Sequence, residues 1–284
     1  MIFKLFKYDC RGVGKKLLPL YVLTLAFAVM ARFSLSGWFN RFQNIEYSSQ
    51  YEMSVSDIVF NAFASLTIGI SWLLIFAVFF VTFFIIVIKY GRSVFGEEGY
   101  LTNTLPITSS QIIITKVLNY YLWNFVATVV VILALIIMYL HTDIIPFTFE
   151  EAWDGVVRAY QMIPPDILSK GYFLFFLFLL SMIISPITYI LLVYFSIGIG
   201  SQFKNKFIMS IVAYFGVSFV IGQITNIPMS LYFVSVGERL EGAGDEALSV
   251  MIMVAIMALI TVIASGIFYF FGTKYFMDKK LNLE

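Results

Sequence analysis

The stretch Glu97-Glu-Gly-Tyr-Leu-Thr-Asn-Thr-Leu-Pro-Ile-Thr-Ser-Ser-Gln-Ile-Ile-Ile-Thr-Lys-Val-Leu118 decides how the chain is read, because it interrupts two long apolar runs. It is too polar to lie in hydrocarbon and too short to form a domain. Gly99 suits a helix end or a sharp turn, since glycine alone accepts a left-handed backbone without steric cost. Pro106 forbids a continuous helix and biases Leu105 towards an extended backbone. Thr108-Ser-Ser-Gln111 then reads as a capping box, in which the hydroxyl and the amide cover free backbone N–H groups at a helix start. The pattern predicts a short surface helix or hook, a break, and a new helix entering a membrane.

The rest of the chain supplies the membrane. It is 61% hydrophobic and 18% aromatic with only 12% charged residues, which excludes an ordinary soluble domain. The formal net charge is +1, and no basic run is dense enough to bind nucleic acid. Cys10 is the only cysteine and His141 the only histidine, which excludes a disulfide framework or a thiol–imidazole metal cluster within one chain. Cys10 is expected to pack as a small apolar residue near the membrane surface, palmitoylation being the alternative. The apolar run Pro19 to Met30 leads into no small-residue cleavage site, so no removable signal is expected.

Residues 1–16 place Lys4, Lys7, Arg11 and Lys15 at helical spacing, with Phe3, Phe6, Cys10 and Leu17 on another side. That is the pattern of an amphipathic helix in the interface, its basic groups near anionic headgroups. Gly12-Val-Gly-Lys-Lys lacks the first glycine and the preceding strand of a phosphate loop and is set aside. About 20 apolar residues suffice for a crossing. The spans are expected at 17–35, 58–90, 110–140, 172–201, 207–226 and 248–273, with a loop over 92–109. Ser56 or Asp57 is expected to cap the second span, and Pro186 to kink the fourth. Between the third and fourth, Thr148-Phe-Glu-Glu151 repeats the capping pattern. Trp153, Val156, Val157, Tyr160 and Ile163 follow at helical spacing, as in a short helix resting on the bilayer. The fifth span weakens at Gln223, Asn226 and Pro228, and 228–237 is expected either to re-enter one leaflet or to stay outside.

Orientation follows from the basic residues. The N-terminus, the Lys89–Lys116 loop, the Lys204 turn and the C-terminus hold thirteen of the 18 Lys and Arg residues, and only five of the 17 acidic ones. By the positive-inside rule both termini and the Gly99–Pro106 hook are cytoplasmic, which requires an even number of crossings. The fold class expected is thus an all-α integral membrane protein. It has six transmembrane helices, an interfacial N-terminal helix and a cytoplasmic hook between helices 2 and 3.

No Asp, Glu, Lys or Arg falls near the centre of an expected span, Lys89 and Lys116 lying towards span ends. A proton- or cation-coupled transporter generally needs such a group at depth. The polar residues there are Asn61, Thr67, Asn119, Asn124, Ser181, Ser185, Thr188, Gln202, Gln223 and Asn226. Each either bonds a neighbouring helix or lines a weakly polar path; Asn61, Asn119, Asn124, Thr188, Gln223 and Asn226 are the candidates for a lining. Neither a catalytic triad, nor paired carboxylates, nor a zinc motif occurs in the spans. No Walker loop is present, so energy for uphill movement would have to come from a separate ATPase seated on the hook.

With those residues in view, the chain resembles a permease of the ABC type 2 exporter family, the membrane half of an ATP-binding-cassette exporter. The likeness rests on the order of elements, on Glu98-Gly99-Tyr100-Leu101-Thr102-Asn103-Thr104-Leu105-Pro106, and on Ser110, Gln111 and Lys116 after it. That stretch resembles one common in bacterial permeases of this type, particularly those associated with peptide antibiotics. The resemblance implies that the hook is a coupling helix, with Glu97, Glu98, Gly99, Tyr100, Leu101, Leu105 and Pro106 docking an ATPase. It implies two copies of that ATPase, which hold ATP and Mg²⁺, a second permease subunit that is identical or homologous, and a bacterial cell membrane. This chain would itself hold no cofactor and catalyse nothing. Modest outer loops argue against an extracellular receptor domain, and the aromatic, uncharged interior favours a hydrophobic or amphipathic cargo such as an antimicrobial peptide, drug or lipid. A hook ordered only by its own turn chemistry is the plainer alternative. A membrane scaffold or sensor subunit, and less readily a secondary transporter or channel, are the other functional readings.

Overall fold

A computed structural model describes residues 2–47, 54–96, 99, 107–139, 149–236 and 244–279. These residues form helices α1 (Ile2–Tyr47), α2 (Val55–Phe95), α3 (Ser109–Tyr139), α4 (Phe149–Gln161), α5 (Pro165–Gly200), α6 (Lys206–Val236) and α7 (Gly244–Lys279), with no strand among them. Six of the seven are long and apolar enough to cross a membrane, all but α4. The shortest of the six have 31 residues, which at about 1.5 Å per residue exceeds the roughly 30 Å of a hydrocarbon core.

The helices overrun the apolar boundaries because backbone hydrogen bonding does not stop where hydrophobicity does. Residues 1–16 are not a separate element: α1 passes from Ile2 through Pro19 to Tyr47 without a break. Nor does the chain break at Pro228, which lies inside α6. Proline removes one backbone donor and crowds one turn. Ending the helix in an apolar setting would strand several more N–H and C=O groups. Continuing it is the cheaper outcome, and 228–236 is a helical extension of the fifth span, not a re-entrant segment.

Caps explain two of the helix starts. Thr108 N–H donates to Gln111 Oε1 at 3.2 Å and Gln111 N–H to Thr108 Oγ1 at 3.4 Å, the reciprocal pair expected from the sequence. At α2 the cap is Ser54, one position before the helix and two before Ser56: Asp57 N–H donates to Ser54 Oγ at 3.3 Å, and Ser54 N–H returns to Asp57 Oδ2 at 3.2 Å. At α5, Pro165 occupies the first turn, where a missing N–H costs nothing. Thr148, expected to cap α4, lies outside the described residues. Along α4, Trp153, Val156 and Tyr160 are exposed, and the Tyr160 and Tyr172 hydroxyls meet at 2.6 Å.

The helices group into two compact units. The first comprises Phe6–Ile86 and Leu122–Gly155. Here α1 and α2 run antiparallel: Tyr21 bonds Thr82 Oγ1 at 2.9 Å, Ser71 Oγ donates to Phe27 C=O at 3.0 Å, and Phe60 fills the space beside Gly37. Ala28, Ala31, Ala64, Ala127 and Ala134 are fully buried, as expected where small residues let helix backbones approach. Trp123 of α3 lies over Gly14, where a Cβ would stand 2.8 Å from its ring.

The second unit comprises Met1–Leu5, Val87–Tyr121 and Val156–Glu284. Helices α5 and α7 lie parallel along their length, Lys170 reaching Ser249 at 3.0 Å and Thr188 the Val262 carbonyl at 3.1 Å. Further along, Phe195 packs on Phe268, Tyr269 and Phe276 with ring centroids 5.5–6.0 Å apart. Gly272 accepts the Phe195 ring and Gly198 the Phe276 side chain. Helix α6 returns antiparallel to α5 after a tight turn over 201–205, with Tyr189 beside Tyr214 and Gly200 against the backbone of Ser210.

Candidate functional site

The segment expected to form the hook, 97–106, is bracketed by two helix ends, and both are built into the second unit. Helix α2 stops at Phe95; Gly99 N–H then donates to Gly96 C=O at 2.8 Å, a turn that keeps Gly99 buried. Of the expected docking residues, Gly99 alone is described; Glu97, Glu98, Tyr100, Leu101, Leu105 and Pro106 lie outside the described residues. Helix α3 restarts from the Thr108–Gln111 cap. Ser109 Oγ donates to Asp278 Oδ1, tying its first turn to the last turn of α7.

Below these ends the packing is dense. Tyr90, Val94 and Phe95 of α2 are buried, as are Ile112, Ile113, Thr115 and Asn119 of α3 and Ile190 and Tyr194 of α5. Tyr90 and Tyr194 stack face to face, centroids 3.6 Å apart and planes 12° from parallel. The Tyr194 hydroxyl donates to the Lys116 carbonyl at 3.3 Å. One aromatic side chain of α5 thereby touches the last turns of α2 and the first turns of α3. Lys116, counted from sequence among the basic residues of the loop side, is only 5% exposed. The Tyr90 hydroxyl is buried with no hydrogen-bond partner among the described residues, so the ring's stacking, rather than its polar end, holds it in place.

The six candidate lining residues are divided between the two units. Asn61 and Asn124 belong to the first unit; Asn119, Thr188, Gln223 and Asn226 belong to the second. Within the second, Asn119 is buried at the bracketing cluster, while Thr188 spends its hydroxyl on the Val262 carbonyl, with Gly266 making room for it. Gln223 and Asn226 are exposed on α6. Thr67 and Ser181 donate to carbonyls of their own helices, Phe63 and Phe178, and Gln202 to the hydroxyl of its neighbour Ser201.

Sequence reasoning missed Tyr90, Tyr194 and the burial of Lys116. The available signal was a tyrosine next to Lys89 at the end of an apolar run, which reads equally well as an interfacial anchor. Nothing in the spacing pairs it with a tyrosine on another helix. No protein-family model matches the chain, and no curated protein or solved structure matches it.

Proposed function

We propose that the chain is the membrane-spanning permease subunit of an ABC type 2 exporter, working with a separate ATPase that docks on Glu97–Pro106. The observation that carries this reading is the bracket: two helix ends flanking a short polar segment, both fastened to α5 by Tyr194. A segment held that way transmits a push. Displacing it shifts the ends of α2 and α3, and through Tyr194 it loads α5, which is packed against α7 along its whole length. A loop ordered only by its own turn has no need of such fastening.

The remaining features support the same reading. Six helices are long and apolar enough to cross a membrane and to leave turns beyond it. The ends of α2, α5 and α7 and the starts of α3 and α6 carry Lys89, Arg92, Lys116, Lys204, Lys206, Lys274 and Lys279, which favours the cytoplasm for that side. ATP and Mg²⁺ belong to the ATPase. The cargo that suits an aromatic, uncharged interior is hydrophobic or amphipathic, an antimicrobial peptide, drug or lipid.

The test is purification of the chain from its native membrane in mild detergent, with every co-eluting protein identified. An ABC-type ATPase is expected at near-equal stoichiometry, and lost from Leu101→Asp and Leu105→Asp variants that still insert. Stable recovery of the chain alone, or unchanged ATPase recovery in both variants, overturns the proposal and returns the scaffold reading.

A further inference from the structure

We infer that Tyr120, Tyr189, Tyr214 and Tyr269 form a hydrogen-bonding site within the apolar part of the second unit. Its ligand is an uncharged amphiphile that presents carbonyl oxygens, as an ester or an amide does on an apolar body. The inference takes from the preceding reading only that such a ligand is cargo, and it needs no ATPase.

The four tyrosines come from four helices, α3, α5, α6 and α7, and all belong to the second unit. Ser109 bonds Asp278, Tyr194 bonds the Lys116 carbonyl, and a short turn joins α5 to α6, so one end of each helix lies on a common side. From those ends, at Ser109, Gly200, Lys206 and Lys279, the tyrosines stand eight to eleven residues away, about 12–17 Å along the axis. That level is well inside a hydrocarbon core of roughly 30 Å. There the polar groups converge. The Tyr214 hydroxyl approaches that of Tyr189 at 3.5 Å, long for an O–H···O bond. Tyr189 is within electrostatic reach of Tyr120, and Tyr269 of Tyr214. Tyr120 and Tyr269 are only 7% and 3% exposed, yet their hydroxyls make no hydrogen bond among the described residues. A buried phenol normally finds a partner, and hydrocarbon supplies none.

What the cluster leaves open selects the ligand. The Tyr269 ring packs on Phe195 and Phe268, with centroids 6.0 and 5.8 Å away, and the Tyr120 ring is buried. Tyr189 and Tyr214 meet each other at 85°. Two enclosed rings bind through their hydroxyls, not their π-faces, which disfavours an ammonium group. Residues 117–140, 171–203, 207–237 and 247–273, which hold the four, contain no Asp, Glu, Lys or Arg, so a charged ligand would find no counter-ion. What remains is a set of O–H donors, and a carbonyl oxygen satisfies them without bringing a charge. The ester groups of the bilayer's own lipids stay at the interface, above this level.

The test uses the full chain in nanodiscs of ether-linked lipid, where no lipid carbonyl competes. The probe is a photoreactive, alkyne-tagged dodecyl ester. Its labelling is expected to saturate, to fall on peptides of α3, α5, α6 and α7, and to be competed by dodecyl acetate but not by tetradecane. Phenylalanine keeps each ring and its packing, so Tyr120→Phe and Tyr269→Phe test the hydroxyls alone. Each is expected to raise the half-saturating concentration roughly fivefold. Tyr172→Phe, which removes a hydroxyl bonded to Tyr160 outside the cluster, is the control and is expected to match the parent. Labelling that does not saturate, equal competition by tetradecane or by dodecyltrimethylammonium, or unchanged half-saturation with all four tyrosines replaced by phenylalanine overturns the inference. An equal effect of Tyr172→Phe also overturns it. Saturable ester binding without a co-purifying ATPase would defeat the transport reading alone. A co-purifying ATPase on a chain that binds no ester would defeat only this one.

Discussion

The α1–α2 pair and the α5–α7 pair solve one problem by different chemistry. Neither can rely on water to drive its helices together once they are in lipid. The first pair uses directional bonds, Tyr21 to Thr82 and Ser71 to the Phe27 carbonyl, and both helices carry fully buried alanines. The second uses shape, Gly198 and Gly272 forming hollows for Phe276 and Phe195. Losing a hydroxyl leaves its partner free to bond its own backbone, so the cost is shallow. Filling a hollow forces rings or backbones to move, so the cost is steep. Shape should therefore be the more brittle of the two.

The sharpest break is expected where the obstacle cannot move. A Cβ at Gly200 would stand 2.5 Å from the Ser210 backbone nitrogen and 2.6 Å from its Cα. Gly200→Val should cost about 3 kcal/mol or more, seen as loss of monodisperse protein in fluorescence-detected size exclusion; a native-like profile would refute steric closure of this turn. Gly272→Ala comes next, at about 2 kcal/mol. Its obstacle is the Phe195 ring, so Phe195→Leu in the same chain should recover part of the loss in a detergent thermal melt. If the double variant is simply additive, the hollow is not what joins α5 to α7.

Smaller effects are expected where only a hydrogen bond is lost. Thr108→Ala removes one half of the α3 cap and should cost about 1 kcal/mol, read as a lowered melting midpoint, with Thr108→Ser close to the parent. Smallest of all, Tyr21→Phe should cost about 0.6 kcal/mol. A double-mutant cycle with Thr82→Val measures the bond itself. A coupling as large as the penalty at Gly272 would erase the distinction between the two pairs.

Much of this comparison could not be read along the chain. The Thr108–Gln111 cap was legible because both partners lie within one turn. The α2 cap, expected at Ser56 or Asp57, is Ser54 with Asp57 as its reciprocal partner, an aspartate rather than the longer side chains of the usual box. Pro228 looked like a break because its local cost is visible in sequence, whereas the cost of ending a helix in an apolar setting is not. Thr188 looked like a lining group because its hydroxyl had no evident partner; that partner is a carbonyl on α7. Of the hook, Gly99 is placed, and the bracket around it appeared only with the fold.

What the sequence determined by itself is the class of molecule: six apolar runs long enough to cross a bilayer, a polar stretch between two of them, and the cap that restarts α3. Each is a sum or a contact over a few consecutive residues, so its physics is complete within the segment. The tertiary structure alone decided which glycines are hollows, that Tyr90 and Tyr194 stack, that Lys116 is buried, and that the Thr188 hydroxyl is spent on a carbonyl of α7. Those depend on how each helix is rotated and slid against another. Rotation and slide are settled by the fit of whole surfaces, and no local run of residues contains them.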